Sequence, residues 1–366
     1  MRDADVMPTP SEIRLTEGNQ LLPGQQTRLT LVDVARVAGV SLATVDRVIN
    51  RRPGVSKRAV TKVEESLAKL GYRPDPVAAQ LARRTSFRFC FLLPTGSNSF
   101  MRQLGEQIQQ TGDWLKEQRV FVDLRQVDVF DPMALALALD DLGDDYQGVA
   151  VVALDHPAVR EAIDALIDRG VDVVTLVSDV PTSRRSRFIG IDNPSAGRTA
   201  ATLMGRFAGG RSGPVAVIAG SLALRDHAER QFGFQQVIAA DYPGLMVLPA
   251  IEGRDESDIC RDVTARLLVQ YPDLVGIYNV GAGNRGVADA LEASGRAKAV
   301  IFIGHELTQH SRRFLLRGLM DVVINQDAGH EARSAGRILL AHCLNQPILV
   351  DQERIRIDIF VRDNLP

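Results

Sequence analysis

The sequence predicts a small all-α head followed by a larger α/β body built as two parallel-sheet lobes. Three observations predict it. Residues 28–84 are strongly basic, with 12 Lys and Arg against 5 Asp and Glu, while residues 1–27 carry 2 against 4 and the whole chain is −2. Residues 29–72 show only short helical apolar patterns. From Phe87 onward, short apolar runs alternate with longer amphipathic stretches, as in βαβ units with parallel sheets.

Length and composition set the bounds. A chain of 366 residues, 45% hydrophobic, has room for two or three domains with real cores. No stretch is long and apolar enough to span a bilayer. The start, Met1-Arg2-Asp3-Ala4-Asp5, lacks the basic and apolar regions of a signal peptide, so a cytoplasmic location without membrane association is expected. The three cysteines, Cys90, Cys260 and Cys343, are far apart and form no C-x-x-C pair. That argues against a disulfide framework or a zinc site, and each cysteine reads as a small buried hydrophobe. No metal and no cofactor are expected.

Residues 1–28 are polar, rich in Pro, Gly, Gln and Thr, without periodicity, and read as a disordered N-terminal extension. The head follows at 29–73. Leu31, Val34 and Ala35 share one face of a first helix, and the small Ala35 lets a second helix approach. Gly39 suits the left-handed conformation of a tight turn. Ser41 is a good N-cap for the next helix. Val45, Val48 and Ile49 give that helix a buried face, leaving Leu42, Ala43, Asp46, Arg47 and Asn50 outward. This is the spacing of a helix-turn-helix, although a plain α-hairpin can share it. The basic balance matches the footprint of a nucleic-acid-binding head. Residues 74–86 read as a linker with one short hinge helix, and Pro76 suits that helix's first turn.

The body, 87–366, holds the apolar runs Phe87–Leu93, Val120–Val127, Gly148–Ala153, Val171–Val177, Val215–Ala219, Met246–Ile251, Val275–Val280, Val300–Gly304 and Met320–Ile324. Helical segments such as Ala158–Asp168, Ser195–Ala208 and Ser257–Gln270 lie between them. Nine or more strands in about 280 residues predict two sheets rather than one. Open parallel sheets bind ligands at the carboxyl ends of their strands, so the loops there are the place to look for a site.

Residues 29–86 closely resemble the head of the lactose-repressor (LacI) family of bacterial regulators. The resemblance rests on Asp33-Val34-Ala35, Ala38-Gly39-Val40-Ser41, Ala43-Thr44-Val45, Arg47-Val48 and Asn50. It continues through Val55-Ser56, Leu70-Gly71-Tyr72, Pro74 and Val77-Ala78-Ala79-Gln80-Leu81-Ala82. It implies that Leu42, Ala43 and Arg47 face base edges in the major groove, with Arg47 able to pair bidentately with guanine. Thr30, Ser41, Thr44, Asn50 and Ser56 would contact phosphates. The hinge would meet DNA through Ala78 and Leu81, with Leu81 as a minor-groove wedge that kinks the duplex. Asp46 departs from the serine common at its position, and a carboxylate there would alter operator preference.

The body resembles the periplasmic sugar-binding-protein fold that this family uses as its effector domain. Lobe 1 is expected at about 87–190 and 322–345, and lobe 2 at about 191–321 and 346–366. By resemblance to the ribose-binding type, Asn98 would bind a hydroxyl and Phe100 would stack on a ring. Asp155, His156, Arg225, Asn279, Glu306 and Gln326 would join them from other strand ends. Such side chains offer planar, bidentate hydrogen bonds to vicinal hydroxyls.

Other readings fit less well. Gly281-Ala282-Gly283-Asn284-Arg285-Gly286 is a literal G-x-G-x-x-G, but it falls late in the chain with no dinucleotide-binding unit upstream. The pairs Asp155-His156, Asp226-His227 and His305-Glu306 show no metal-ligand spacing and no implied nucleophile, so no enzyme is expected. A transport binding protein would not carry the head, and a pure scaffold leaves the polar strand ends unexplained. The expectation is a ligand-gated repressor acting as a homodimer on a pseudo-palindromic double-stranded DNA operator, with a sugar or polyol as effector. Without a trailing heptad helix after Ile355–Val361, a dimer is expected rather than a tetramer. Pentose, hexose, polyol and sugar acid stay open, as do inducer and corepressor.

Overall fold

Each helix of the head is started by a hydroxyl residue. Thr30 precedes α1 (Leu31–Ala38), Ser41 precedes α2 (Leu42–Ile49) and Ser56 precedes α3 (Lys57–Leu70). Ser41 Oγ accepts from the Thr44 N–H at 3.2 Å and Ser56 Oγ from the Ala59 N–H at 3.3 Å. Such caps satisfy N–H groups that have no partner within the helix. At Thr30 the N–H and the hydroxyl both donate to the Asp33 carboxylate, which holds that acid below its usual range. Gly39 closes α1 at φ 63°, and Gly71 closes α3 at φ 60°. Between these ends Val34, Ala35, Ala38, Val45 and Val63 form a small core, flanked by Leu31, Val48, Ile49 and Leu67.

This computed structural model describes residues 29–49, 53–72, 86–96 and 98–366, which fall into two units, head and body. The expected extension 1–28, the residue Asn50, and most of the hinge, including Ala78 and Leu81, lie outside the described residues.

The body alternates strands and helices. The first lobe contains β1 (Phe87–Pro94), α4 (Ser99–Glu117), β2 (Val120–Val127), α5 (Pro132–Asp140), β3 (Gly148–Val151), α6 (Pro157–Asp168), β4 (Asp172–Leu176) and β5 (Arg187–Ile189). Its five strands run parallel in the order β2-β1-β3-β4-β5. The chain then crosses to α7 (Asn193–Ala208), β6 (Gly213–Ala219), α8 (Arg225–Asp241), β7 (Leu245–Val247), β8 (Ile251–Glu252) and α9 (Ser257–Gln270). The second lobe continues with β9 (Gly276–Asn279), α10 (Asn284–Ala293), β10 (Ile301–His305), α11 (Gln309–Arg317) and β11 (Val322–Asn325). After β11 the chain returns to the first lobe as α12 (Ala328–Cys343), which packs on α4 and β4, and ends in β12 (Asp358–Phe360) back in the second sheet. That sheet has the order β12-β11-β10-β9-β6-β7, with β8 also on β6 and only β12 antiparallel.

Alternating side chains explain why the strands read as unbroken apolar runs, because both faces of a parallel sheet are covered. On β1, Phe89 and Phe91 enter one core, while Cys90 and Leu92 enter another with Leu135, Leu139 and Ile163. The inner core is continuous between the lobes: Ile108 and Ile338 belong to the same buried cluster as Met204, Val215 and Phe234. Cys90 and Cys260 are buried, Cys343 is half-buried, and burial pushes each thiol up to about 12. Among the described residues no helix is long and apolar enough to cross a membrane.

Three details differ from the sequence reading. The Val322–Asn325 strand was assigned to lobe 1, but it pairs with β10 and β12 and belongs to the second sheet. The crossing falls after Asn325, since an extended segment between two strands must pair its backbone with them. The run Met246–Ile251 makes two short strands, broken at Pro249, which has no N–H to give a ladder. Arg187–Ile189 adds a strand that no apolar run marks.

Helices α7 and α8 cross at glycines. A Cβ on Gly197 would lie 1.9 Å from the Arg230 carbonyl oxygen, and one on Gly233 would lie 2.2 Å from the Pro194 carbonyl oxygen. Gly197→Ala should therefore force the helices apart and destabilise the protein by about 1–3 kcal/mol, as overpacked cores do. Urea unfolding measures this, and an unchanged midpoint would mean that the crossing tolerates separation.

Candidate functional site

A cavity of about 690 Å³ opens between the lobes, lined by loops that follow the strands. Pro94–Gly96 after β1, Asp128–Phe130 after β2 and Ser178 after β4 supply the first lobe's wall. The facing wall holds Asp226, His227 and Arg230 on α8, Asp255 after β8, Gly281–Asn284 after β9, His305 and Glu306 at the end of β10, and Gln326 after β11.

Arg230 is the centre of that wall. It is 2% exposed, donates from Nε to Asn193 Oδ1 and from Nη1 to the Val280 carbonyl, both at 2.8 Å, and leaves Nη2 without a hydrogen bond. Asp226 lies beside it at 3.8 Å, equally buried, with Oδ1 unpartnered. His305 shares a 2.8 Å hydrogen bond with Tyr278, and its Nδ1 has no partner. Burial, with Arg230 and His227 nearby, holds this histidine well below its usual range, so it is neutral. Glu306 sits at φ 69°, a left-handed conformation uncommon for a non-glycine, and accepts from Gln326 Nε2 at 2.8 Å. Burial pushes its carboxyl up to about 7.

Asp255 closes the rim from a strained loop in which Arg254 (φ 51°) and Asp255 (φ 58°) are both left-handed. Its carboxylate accepts from the Ala282 N–H at 2.9 Å and from Asn98 Nδ2 in the opposite lobe at 3.1 Å. Two glycines make room for it. A Cβ on Gly220 would lie 2.2 Å from Asp255 Oδ1, and one on Gly281 would lie 2.5 Å from the same atom. The G-x-G-x-x-G run thus serves packing. Gly281 admits Asp255, Gly283 starts α10 at φ 88°, and Gly286 lets α10 meet α9, where a Cβ would be 1.8 Å from the Ser257 carbonyl.

Of the effector residues expected from sequence, Asn98, Phe100, Glu306 and Gln326 line the cavity. Asn98 also caps α4, accepting from Phe100 N–H at 3.0 Å. The other four lie outside the lining. Arg225 donates to Asp155 at 3.2 Å, an ion pair from one lobe to the other, and to Glu229 at 2.7 Å. His156 caps α6 by accepting from the Ala158 N–H. Asn279 donates to Ala282 O and to Asn284 Oδ1, bracing the loop after β9. The effector residues expected from sequence do not include Asp226, His227, Arg230 and Asp255, although Asp226-His227 is weighed there as an acid–base pair. Their signal was weak, because three lie on a helix beyond its first residue and the fourth in a loop.

In the head, Thr30, Ser41, Leu42, Ala43, Arg47 and Ser56 are exposed and Thr44 and Asp46 half-buried. Leu42 is 48% exposed in the first turn of α2, although it is apolar. An outward apolar and basic face on the second helix of a helix-turn-helix is suited to a DNA groove. Asn50, Ala78 and Leu81 lie outside the described residues.

The described residues combine a helix-turn-helix head with a two-lobed binding-protein body. The body belongs to the periplasmic binding protein domain family, and the head matches the lacI family of bacterial regulatory proteins. Residues 30–75 match that family's model, and residues 89–347 match the model of the periplasmic binding protein domain. It is 30% identical to catabolite control protein A of Priestia megaterium over 46% of this chain and 49% of that one. It is 26% identical to the sucrose operon repressor of Streptococcus mutans over 57% and 62%. It is 24% identical to the ribose operon repressor of Halalkalibacterium halodurans over 76% and 77%. The chain thus spans about half the length of the first relative. Among solved structures, the body resembles a solute-binding protein of Burkholderia graminis in complex with D-arabinose (TM-score 0.69, 23% identity, 76% of this chain and 96% of that one). It also resembles a glucose–galactose binding protein of Geobacillus stearothermophilus (TM-score 0.68, 21% identity, 77% and 99%). These likenesses show the fold.

Arg230→Met should leave Asp226 as an uncompensated buried charge. The expected loss is about 3–5 kcal/mol of stability near neutral pH, measured by denaturant unfolding. A loss below about 1 kcal/mol would show that water already solvates the pair.

Proposed function

We propose that the chain is a sequence-specific DNA-binding transcription repressor whose operator affinity is set by a sugar or polyol held between the lobes. The observation that carries the effector class is that five of the eight buried polar side-chain atoms without partners among the described residues fall together: Arg230 Nη2, Asp226 Oδ1, His305 Nδ1, Gln326 Oε1 and Ser178 Oγ. These five belong to residues that line the cavity. Buried polar groups need partners, and donors interleaved with acceptors suit the hydroxyls of a polyhydroxylated ring. The names of the sucrose and ribose operon repressors support both the DNA-binding and the effector class.

The head would read DNA as expected from sequence. Leu42, Ala43 and Arg47 face bases; Thr30, Ser41, Thr44, Asn50 and Ser56 meet phosphates; Ala78 and Leu81 act at the hinge. A homodimer in the cytoplasm would present two heads to a pseudo-palindromic operator. Effector binding changes operator affinity because it favours one lobe arrangement over another, and the two arrangements differ in how they hold the hinges.

Selection on random-sequence duplexes at one fixed salt concentration tests the reading, since phosphate contacts make affinity steeply salt-dependent. A short enriched palindrome is the expected result, and that duplex then reports release or capture by a panel of sugars and polyols. Enrichment of no sequence, with or without those compounds, would count against it. Arg47→Ala should weaken operator binding by about 1–3 kcal/mol and relax preference at one base pair. It should leave sugar affinity unchanged. Gln326→Ala should do the reverse, and unaltered sugar response in that variant would remove it from the cleft.

A further inference from the structure

Glu331 is fully buried in the first turn of α12, and neither carboxyl oxygen has a hydrogen-bond partner. A buried carboxylate without donors is costly, and holding a proton removes the cost. Its place in the fold gives this consequence. α12 follows directly from β11 of the second lobe but packs on α4 and β4 of the first, so Glu331 stands where the chain crosses between lobes.

The charged groups acting on it come from several elements. Glu306, from the end of β10, repels it; Arg230 and Asp226 reach it from α8; Asp327 caps its own helix. From the first lobe, α4 brings Gln107 to the same turn, at Gly329, and β4 meets the far end of α12 through Asp172 and His342. Glu306 is buried as well and tied to Gln326. Two acids, one attached to each lobe, therefore share the field of a single guanidinium that Asp226 also faces.

We propose that Glu331 and Glu306, two buried acids on opposite lobes, hold protons while the lobes are closed and release them to water when they part, so that pH regulates the cleft. The proposal rests on the reading of the cavity as an effector cleft that opens and closes. Release breaks a carboxyl O–H bond, leaving a carboxylate on the protein and a proton on water. The direction follows from linkage. Burial raises both acids above their ordinary values in the closed form, so that form binds more protons. Its advantage is full in acid and is lost as pH rises through the closed-form value, which for Glu306 is about 7. Acid favours closure; alkali favours opening.

The test uses the full chain without DNA or effector. Spin labels at Gln109→Cys on α4 and Gln309→Cys on α11, two exposed positions in opposite lobes, report lobe separation by electron–electron distance measurement in a Cys343→Ser background. The wild-type distances should lengthen as pH rises through neutrality. Glu331→Gln should keep the short distances across the range, and its melting temperature should gain on the wild type progressively toward alkaline pH. Wild-type distances that ignore pH would overturn the proposal, as would a Glu331→Gln protein that lengthens like the wild type. If Glu331→Gln does not fold, Glu306→Gln carries the same comparison, and there a full pH-dependent lengthening overturns the proposal. None of these readouts needs an operator or a sugar, so failure of the functional reading would show separately, in the duplex selection.

Discussion

One buried guanidinium organises the cleft. Arg230 reaches from the middle of α8 to Asn193 at the start of α7 and to the Val280 carbonyl beyond β9, binding three pieces of the second lobe together. Its charge acts on His305, Glu306 and Glu331. It acts with burial to keep His305 neutral, and it opposes the burial that raises Glu306 and Glu331. A charge so deep persists because Asp226 lies beside it and carbonyl and amide oxygens accept from it. The backbone accommodates it too: the carbonyl of Arg230 itself fills the space that Gly197 leaves open.

Glycine plays the complementary part at the rim. Asp255 can stand between Gly220 and Gly281 because neither has a Cβ, and from there it touches the opposite lobe through Asn98. The local strain of two successive left-handed residues is held by the hydrogen bond from Ala282 and by the packing of the following helix. A sequence pattern that elsewhere cradles a pyrophosphate here cradles a carboxylate of the same chain. Such motifs state where backbone must approach closely, and the partner is decided by the fold around them.

The head was legible almost residue by residue, because short helices with hydroxyl caps, a left-handed glycine and a five-residue core are specified locally. Ala35, Gly39, Ser41 and Val45 each do what their chemistry predicts. The alternation of strands and helices in the body was legible for the same reason, since apolar runs of strand length are a local signal. What escaped was non-local. Arg187–Ile189 becomes a strand because β4 offers it an edge, and Val322–Asn325 joins the second sheet because β10 and β12 flank it. Half the expected effector residues line the cavity, because a strand end is a reliable address for a site. The same rule pointed to Asp155 and Arg225, which lie outside the lining and pair with each other across the lobes, and it passed over Arg230, whose role is set by tertiary contact five residues into a helix.

The energetics of closure follow from where the polar contacts lie. The Asp155–Arg225 pair is about one-third exposed on each side, and pairs of that kind contribute roughly 0–1 kcal/mol. The Asn98–Asp255 hydrogen bond is a second contact of modest worth, about 0.5–1.5 kcal/mol if typical. Against these stand five unpartnered polar atoms on residues lining the cavity, each costing on the order of 1–3 kcal/mol while it lacks both water and a ligand. The rim contacts can orient the lobes but cannot outweigh that cost. A ligand that completes the floor's hydrogen bonds adds to closure what the rim contacts do not supply. Occupancy of Arg230, Asp226, His305 and Gln326 therefore weighs more on the lobe angle than the surface ion pairs do.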